Sequence, residues 1–517
     1  MILRIGWAAL RSTLARHWPL LPILAVALLL RLYRLDACAL WTDELFSLQS
    51  SAGRGFWVEE LPRGVVMEPA ARPTSLAAAA PVWDVYEGQA TDTNPPLYYM
   101  VLRLWREAFG DSVDALRSLS VIATLGTVAA MYAAGAAMGG RGVAALAASL
   151  ACVSATQIIY AHEVRGYAMA AAFAAVAGAA VLRIQRDGCT RARGAMLGAS
   201  AALAVCTVYL AAMPVLAVAI HAGTQLRGAA RRKTLIAGGA AAAVTLLAIG
   251  PLLAQQRHYL GLRNQWLKSD GPREIGAVAR EGAIDVIEQV APLQQRSGDL
   301  AGAMGCVLLA AAVPLYIWVP GSRLWLVWIA LSMGALVVMD LSGDKTHLQK
   351  LRYTMLTGPG VFGLVASLAT VRVRGAPLRW GWLVPWAVVL FGAVGVPAAY
   401  ERERGMKEDW TILQKFEASS GVRADDLWVM AAYGGRRWDH ILYLGTSRHA
   451  RTPRLAAAIL DDPRADLAAV RAEVEKRGRV VLFLEVGSPP PDIVPPAWHV
   501  QGRTLFPTVG MLTLYAR

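Results

Sequence analysis

The sequence predicts an α-helical polytopic membrane protein followed by a small soluble α/β domain, and three observations predict it. The 517 residues are 56% hydrophobic and only 17% charged, more apolar than a soluble chain of this length requires to fill its cores. Many apolar runs are each long enough to cross ~30 Å of hydrocarbon as a helix. After Tyr400 the composition changes to charges of both signs with strand-like runs at Leu427–Tyr433, Val480–Val486 and Met511–Tyr515.

In chain order the apolar stretches lie near residues 19–36, 114–138, 142–160, 166–182, 195–210, 211–226, 234–254, 299–319, 323–340, 353–370 and 380–399, which makes about eleven transmembrane helices. The pair 195–210 and 211–226 is one apolar run that only Met213-Pro214 divides. With the N-terminus inside, the cytoplasmic pieces collect Arg4, Arg11, Arg16, Arg141, Arg183, Arg186, Arg191, Arg193, Arg227, Arg231, Arg232, Lys233, Arg323, Arg372, Arg374 and Arg379, with Asp187 as their one acid. This positive-inside pattern accounts for the formal net charge of +14 and leaves no stripe for a nucleic-acid partner. The basic start and Leu35-Asp36-Ala37-Cys38 do not make a lipoprotein signal, because Arg31 and Arg34 interrupt the run.

The same topology puts residues 39–96, 160–166, 255–298 and everything after Tyr400 on the outer face, and divides the chain into a membrane module, 1–399, and an outer domain, 400–517. Residues 39–92 carry eight acids against three Arg, opposite in sign to the inner loops, and contain two Pro-bounded pieces expected as short helices. Residues 464–477 read as an amphipathic helix between strands. The five Cys are scattered singly, so no disulfide framework is expected.

Gly358-Pro-Gly360-Val-Phe-Gly363 matches a dinucleotide-binding pattern, yet no strand precedes it and it opens a span; these are packing glycines. No Walker sequence, zinc-ligand Cys pair or H-E-x-x-H is present. Arg31-Leu-Tyr-Arg34-Leu-Asp36 and then Trp41-Thr-Asp43-Glu44 stand at the outer end of the first span, where charges are costly and mark a functional site or an interfacial anchor. Thr93-Asn94-Pro95-Pro96-Leu97-Tyr98-Tyr99 forms a turn some fifty residues later, and Ala115-Leu-Arg117 enters the second span.

An acidic pair after the first span, a Pro-Pro-Leu-Tyr-Tyr turn and Ala-Leu-Arg entering the next resemble the protein O-mannosyltransferases. These belong to the C superfamily of membrane glycosyltransferases, together with the aminoarabinose transferases of lipid A. Tyr160-Ala-His162-Glu163-Val-Arg165-Gly-Tyr167 is similar to that family's glutamate-x-arginine-x-tyrosine segment, and Arg352-Tyr353 and Glu408-Asp409-Trp410 continue the likeness. Relatives often carry His or Lys where this chain has Asn94.

The resemblance implies transfer of a sugar from a polyprenyl-phosphate donor to a lipid, glycan or protein acceptor on the outer face of the plasma membrane. Physics fits it, since a lipid-linked donor keeps its chain in hydrocarbon while its phosphosugar enters a polar site. On this reading Asp43 is the general base, and Glu44 orients it or binds a metal. Arg165, Lys345 and Arg352 hold the phosphate, Tyr167 and Tyr353 bond phosphate or sugar, and Asn94 lies in the donor site. No cofactor is certain; a divalent metal is left open, with Glu44, His162 and His347 as candidate ligands. The rival class is a transporter or flippase of lipid-linked sugars, which predicts paired repeats that the sequence does not display.

Overall fold

The computed structural model describes residues 18–55, 60–263, 267–269, 271–290, 311, 314–373, 376–433, 438–452, 454–462, 466–506 and 509–517. Two compact units emerge. The first comprises 1–35, 93–98 and 109–403; the second comprises 36–92, 99–108 and 404–517. The acidic segment 39–92 belongs to the same unit as the C-terminal residues.

The first unit is helical. Val113–Gly139, Tyr167–Asp187, Gly228–Tyr259, Pro320–Gly343 and Trp380–Met406 are long and apolar enough to cross a membrane, and Arg141–Val153 with Ala155–Ala161 forms a sixth candidate bent by 57°. Leu20–Leu32 and Tyr209–Gln225 are shorter apolar helices. The eleven apolar stretches thus do not all become full-length spans among the described residues. The stretch 353–370 is broken into short α and 3-10 pieces, and most of 299–319 lies outside the described residues. The run 195–226 does divide in two, but at extended Val208 and not at Pro214. That proline sits in the first turn of Ala212–Gln225, where its missing N–H has no partner to lose.

Close helix packing rests on small residues. Tyr167–Asp187 is Ala-rich and mostly buried. A Cβ at Gly363 would meet the Trp325 ring at 2.2 Å, and one at Gly360 would meet Trp328 at 2.7 Å, so this glycine pattern serves packing as its place in a span implied.

The bend after Val153 has an identifiable cause. Arg31, fully buried, donates to the carbonyls of Ala151 and Cys152 at 3.0 and 3.1 Å and to Thr124 Oγ1 at 2.9 Å. Its guanidinium satisfies the last carbonyls of a helix whose ladder stops there. Arg117, also fully buried, donates to the Leu35 carbonyl at 2.7 Å. Arg31 is thereby fixed as a structural cap, and Arg117, from the start of the second span, ties down the segment that follows the first.

The second unit carries a six-stranded sheet built from β1 (Val66–Met67), β2 (Leu427–Ala431), β3 (Ala456–Leu460), β4 (Arg479–Glu485), β5 (His499–Phe506) and β6 (Gly510–Ala516). Its order is β1-β3-β2-β4-β6-β5. β2 is parallel to β3 and β4, and the remaining pairs are antiparallel. The parallel centre reads as continuous apolar sequence because it is covered on both faces. β2 and β3 are buried at every position. The amphipathic helix expected over 464–477 is found at Ala468–Arg477, with Val470 and Val474 inside.

Candidate functional site

In the second unit, Asp43 and Glu44 open the helix Thr42–Ser51. Adjacent carboxylates in a first turn suit the positive end of the helix dipole, but the structure gives them different places. Glu44 is fully buried, and its Oε2 accepts the Trp41 N–H at 3.1 Å, as a capping residue at the third position does. Asp43 is half-buried. The helix is tied down at both ends. Thr42 donates its N–H and its hydroxyl to the two oxygens of Glu408, at 2.9 and 2.8 Å. Burial raises the Glu408 carboxyl above its ordinary range, and the Thr42 bonds pull against that rise. At the other end buried Arg106 donates to Leu48 O and Ser51 Oγ at 2.8 Å and to Thr74 O at 2.6 Å. His449 bonds the Leu40 carbonyl at 2.8 Å and stacks on Trp410, a fully buried ring packed on Phe483 and Phe506.

In the first unit the sequence candidates converge. The Arg165 guanidinium lies 5.9 Å from the centre of the Tyr167 ring. Tyr167 meets Tyr353 edge-on at 6.2 Å, and Arg352 lies 5.3 Å from the Tyr353 ring. His347 touches the same tyrosine, with ring centroids 5.1 Å apart. Segments nearly two hundred residues apart thus build one cluster of donors on aromatic faces. Gly166 makes the approach feasible, because a Cβ there would press on Tyr98 and Thr207 at 3.2 Å. The Pro-Pro-Leu-Tyr-Tyr segment therefore lies directly beside Arg165–Tyr167. Asn94 joins through its carbonyl, which accepts Gln256 Nε2 at 3.1 Å; Gln256 in turn accepts the Tyr209 hydroxyl at 2.7 Å.

Lys345 enters this neighbourhood by its backbone: its N–H donates to the Asp340 carbonyl at 3.1 Å, and it forms an isolated bridge with Lys268. Its alkyl chain lies over Gly343. His162 uses both ring nitrogens, Nδ1 with Glu403 and Nε2 with the Arg31 carbonyl, each at 2.8 Å. Both ring nitrogens are thus engaged by oxygens of this chain. Among the described residues, no three His, Cys, Asp or Glu side chains are grouped to hold a metal ion.

Two residues assigned no role from sequence hold candidate segments in place, Glu408 and Asp340. Glu408 was visible as the acid pair before Trp410. Asp340 was visible as a lone acid at the end of an apolar run, which is itself a signal.

No family model and no curated protein matches the chain. Among solved structures it is similar to the apo crystal structure of ArnT from Cupriavidus metallidurans, at TM-score 0.56 and 13% identity, over 99% of this chain and 98% of that one. The chain has the ArnT fold. The ArnT structure bound to undecaprenyl phosphate gives TM-score 0.55 at 14% identity over 98% of each chain. An oligosaccharyltransferase of Archaeoglobus fulgidus, tethered to an acceptor peptide, aligns at TM-score 0.46 and 10% identity over 92% of this chain and 70% of that one. ArnT is an aminoarabinose transferase of the C superfamily, so the resemblance read from the motifs holds at the level of the fold.

Proposed function

We propose that the chain is a membrane glycosyltransferase that takes a sugar from a polyprenyl-phosphate donor and passes it to an acceptor at the outer face of the plasma membrane. The observation that carries this reading is the Arg165–Tyr167–Tyr353–Arg352 cluster. Guanidinium groups and phenols present only donors toward an oxyanion, and the ArnT fold is known with undecaprenyl phosphate bound.

In this mechanism the acceptor oxygen attacks the anomeric carbon while Asp43 takes its proton. The bond from that carbon to the phosphate oxygen breaks, and its electron pair leaves with the polyprenyl phosphate. Negative charge grows on that phosphate in the transition state, so Arg165 and Arg352 act preferentially there. Glu44, held in its cap, orients the turn that presents Asp43. Tyr167 and Tyr353 support the sugar or the phosphate, and Asn94 and Lys345 border the donor.

The test uses purified protein in lipid vesicles with polyprenyl-phosphate sugar and a membrane extract as acceptor source. Transfer to extract components is expected. Translocation of the donor without any transfer overturns the reading and makes the chain a transporter.

A further inference from the structure

Asp340 closes the helix Arg323–Gly343 and is fully buried. Its Oδ1 accepts the His347 backbone N–H at 2.8 Å and His347 Nδ1 at 2.6 Å, and its Oδ2 accepts the Leu348 N–H at 3.0 Å. The backbone bonds alone would pin the turn to the helix end. The imidazole bond does something more: it fixes the ring's orientation and commits Nδ1 as a donor, leaving Nε2 for another partner. That nitrogen makes no hydrogen bond with the described residues, although His347 is only 2% exposed. The ring packs on Tyr353, the same ring that Arg352 overlies, and Tyr353 meets Tyr167 under Arg165.

We propose that His347 is a further ligand of the donor phosphate: with the phosphate bound the ring carries a proton on each nitrogen, Nδ1–H donating to Asp340 and Nε2–H to a phosphate oxygen beside Arg352, and Asp340 is its positioning residue. The assignment rests on the lipid-linked donor proposed above and adds to it the group that completes the phosphate site. An imidazole held from behind by a carboxylate is a directional donor, whereas each arginine offers a broad fork. The set favours a tetrahedral oxyanion over a planar carboxylate, which one arginine pairs side-on without help.

The test measures binding of undecaprenyl phosphate and of undecaprenol, which lacks the phosphate, to the full chain in nanodiscs. His347→Asn keeps an amide near the Nδ1 position and the bond to Asp340 but does not reach the ligand; His347→Gln puts its amide N–H near the Nε2 position. His347→Asn is expected to weaken undecaprenyl phosphate by about ten- to a hundredfold, the value of a charge-assisted bond, with undecaprenol unchanged. His347→Gln should recover most of that loss. Asp340→Asn should weaken the phosphate in the same direction by a smaller factor. Phosphate affinity within twofold of wild type in His347→Asn, or an equal fall for both probes, overturns the assignment. A wild type that binds the two probes alike removes the donor site and the reading under which His347 serves it.

Discussion

Replacing Glu408 tests whether the turn carrying Asp43 is held by that one carboxylate. Two bonds are at stake, from the Thr42 N–H and the Thr42 hydroxyl. Hydrogen bonds to a charged group contribute about 1.5–3 kcal/mol each. Burial raises the Glu408 carboxyl and offsets part of this, so the lower end applies and the pair is worth about 3 kcal/mol. Glu408→Ala should then speed hydrogen exchange at the Thr42 amide by roughly a hundredfold through local opening. Glu408→Gln should cost tenfold or less, because its amide oxygen still accepts the N–H while its nitrogen donates to the hydroxyl oxygen. Mass-spectrometric exchange on a peptide covering residues 40–48 reads both. Protection within threefold of wild type in Glu408→Ala would refute the reasoning. The sign with pH also follows. A carboxyl whose folded pKa lies above its unfolded value binds more protons in the native state between the two, so stability contributed here falls as pH rises through that window, and Glu408→Gln removes the dependence.

Asp43→Asn is expected to lower transfer by about 10²–10⁴-fold with folding and donor binding intact; near wild-type turnover would remove the base assignment. Glu44→Gln should be milder if Glu44 only caps, and added chelator separates that case from metal binding. Neutralising Arg165 or Arg352 should weaken donor binding as well as turnover, and unchanged donor affinity in both variants would dismiss their phosphate role. Cysteine labelling at Arg186 and Ser420 is expected to find them on opposite sides of the membrane; finding both on one side defeats the proposed topology.

The apolar runs located the helices because a membrane core leaves the backbone no other partner, so length alone was informative. Breaks inside those runs were not legible. The bend after Val153 combines Arg31, more than a hundred residues away, with Ser154, whose side chain caps the next helix and was not read as a helix start. In the second unit β2, β4 and β6 were read from their apolar runs; β1 and β5 were not, and neither was β3, Ala-Ala-Ala-Ile-Leu. Its alanines favour helix locally, and burial between two neighbours overrides that preference. The helix Leu97–Phe109 was read as a turn on the strength of Pro95-Pro96, which stand just before its start. Arg165, Tyr167, Arg352 and Tyr353 were named from motifs, and the structure joins them. His347 was named as a candidate metal ligand, and its partner Asp340 was passed over inside the span.

The edge strand β1 comes from residues 66–67 and pairs with β3 near residue 457, while Thr42 waits for a carboxylate 366 residues downstream. The order of synthesis therefore matters to this protein. Its acidic segment is made early, with its apolar positions uncovered, and cannot complete its fold until nearly the whole chain has been made. Fragments inherit the problem. A C-terminal piece beginning after the last membrane helix lacks β1 and presents the open edge of β3, an invitation to pair with other chains. Soluble expression of that unit calls for residues 36–92 to be supplied in the same molecule.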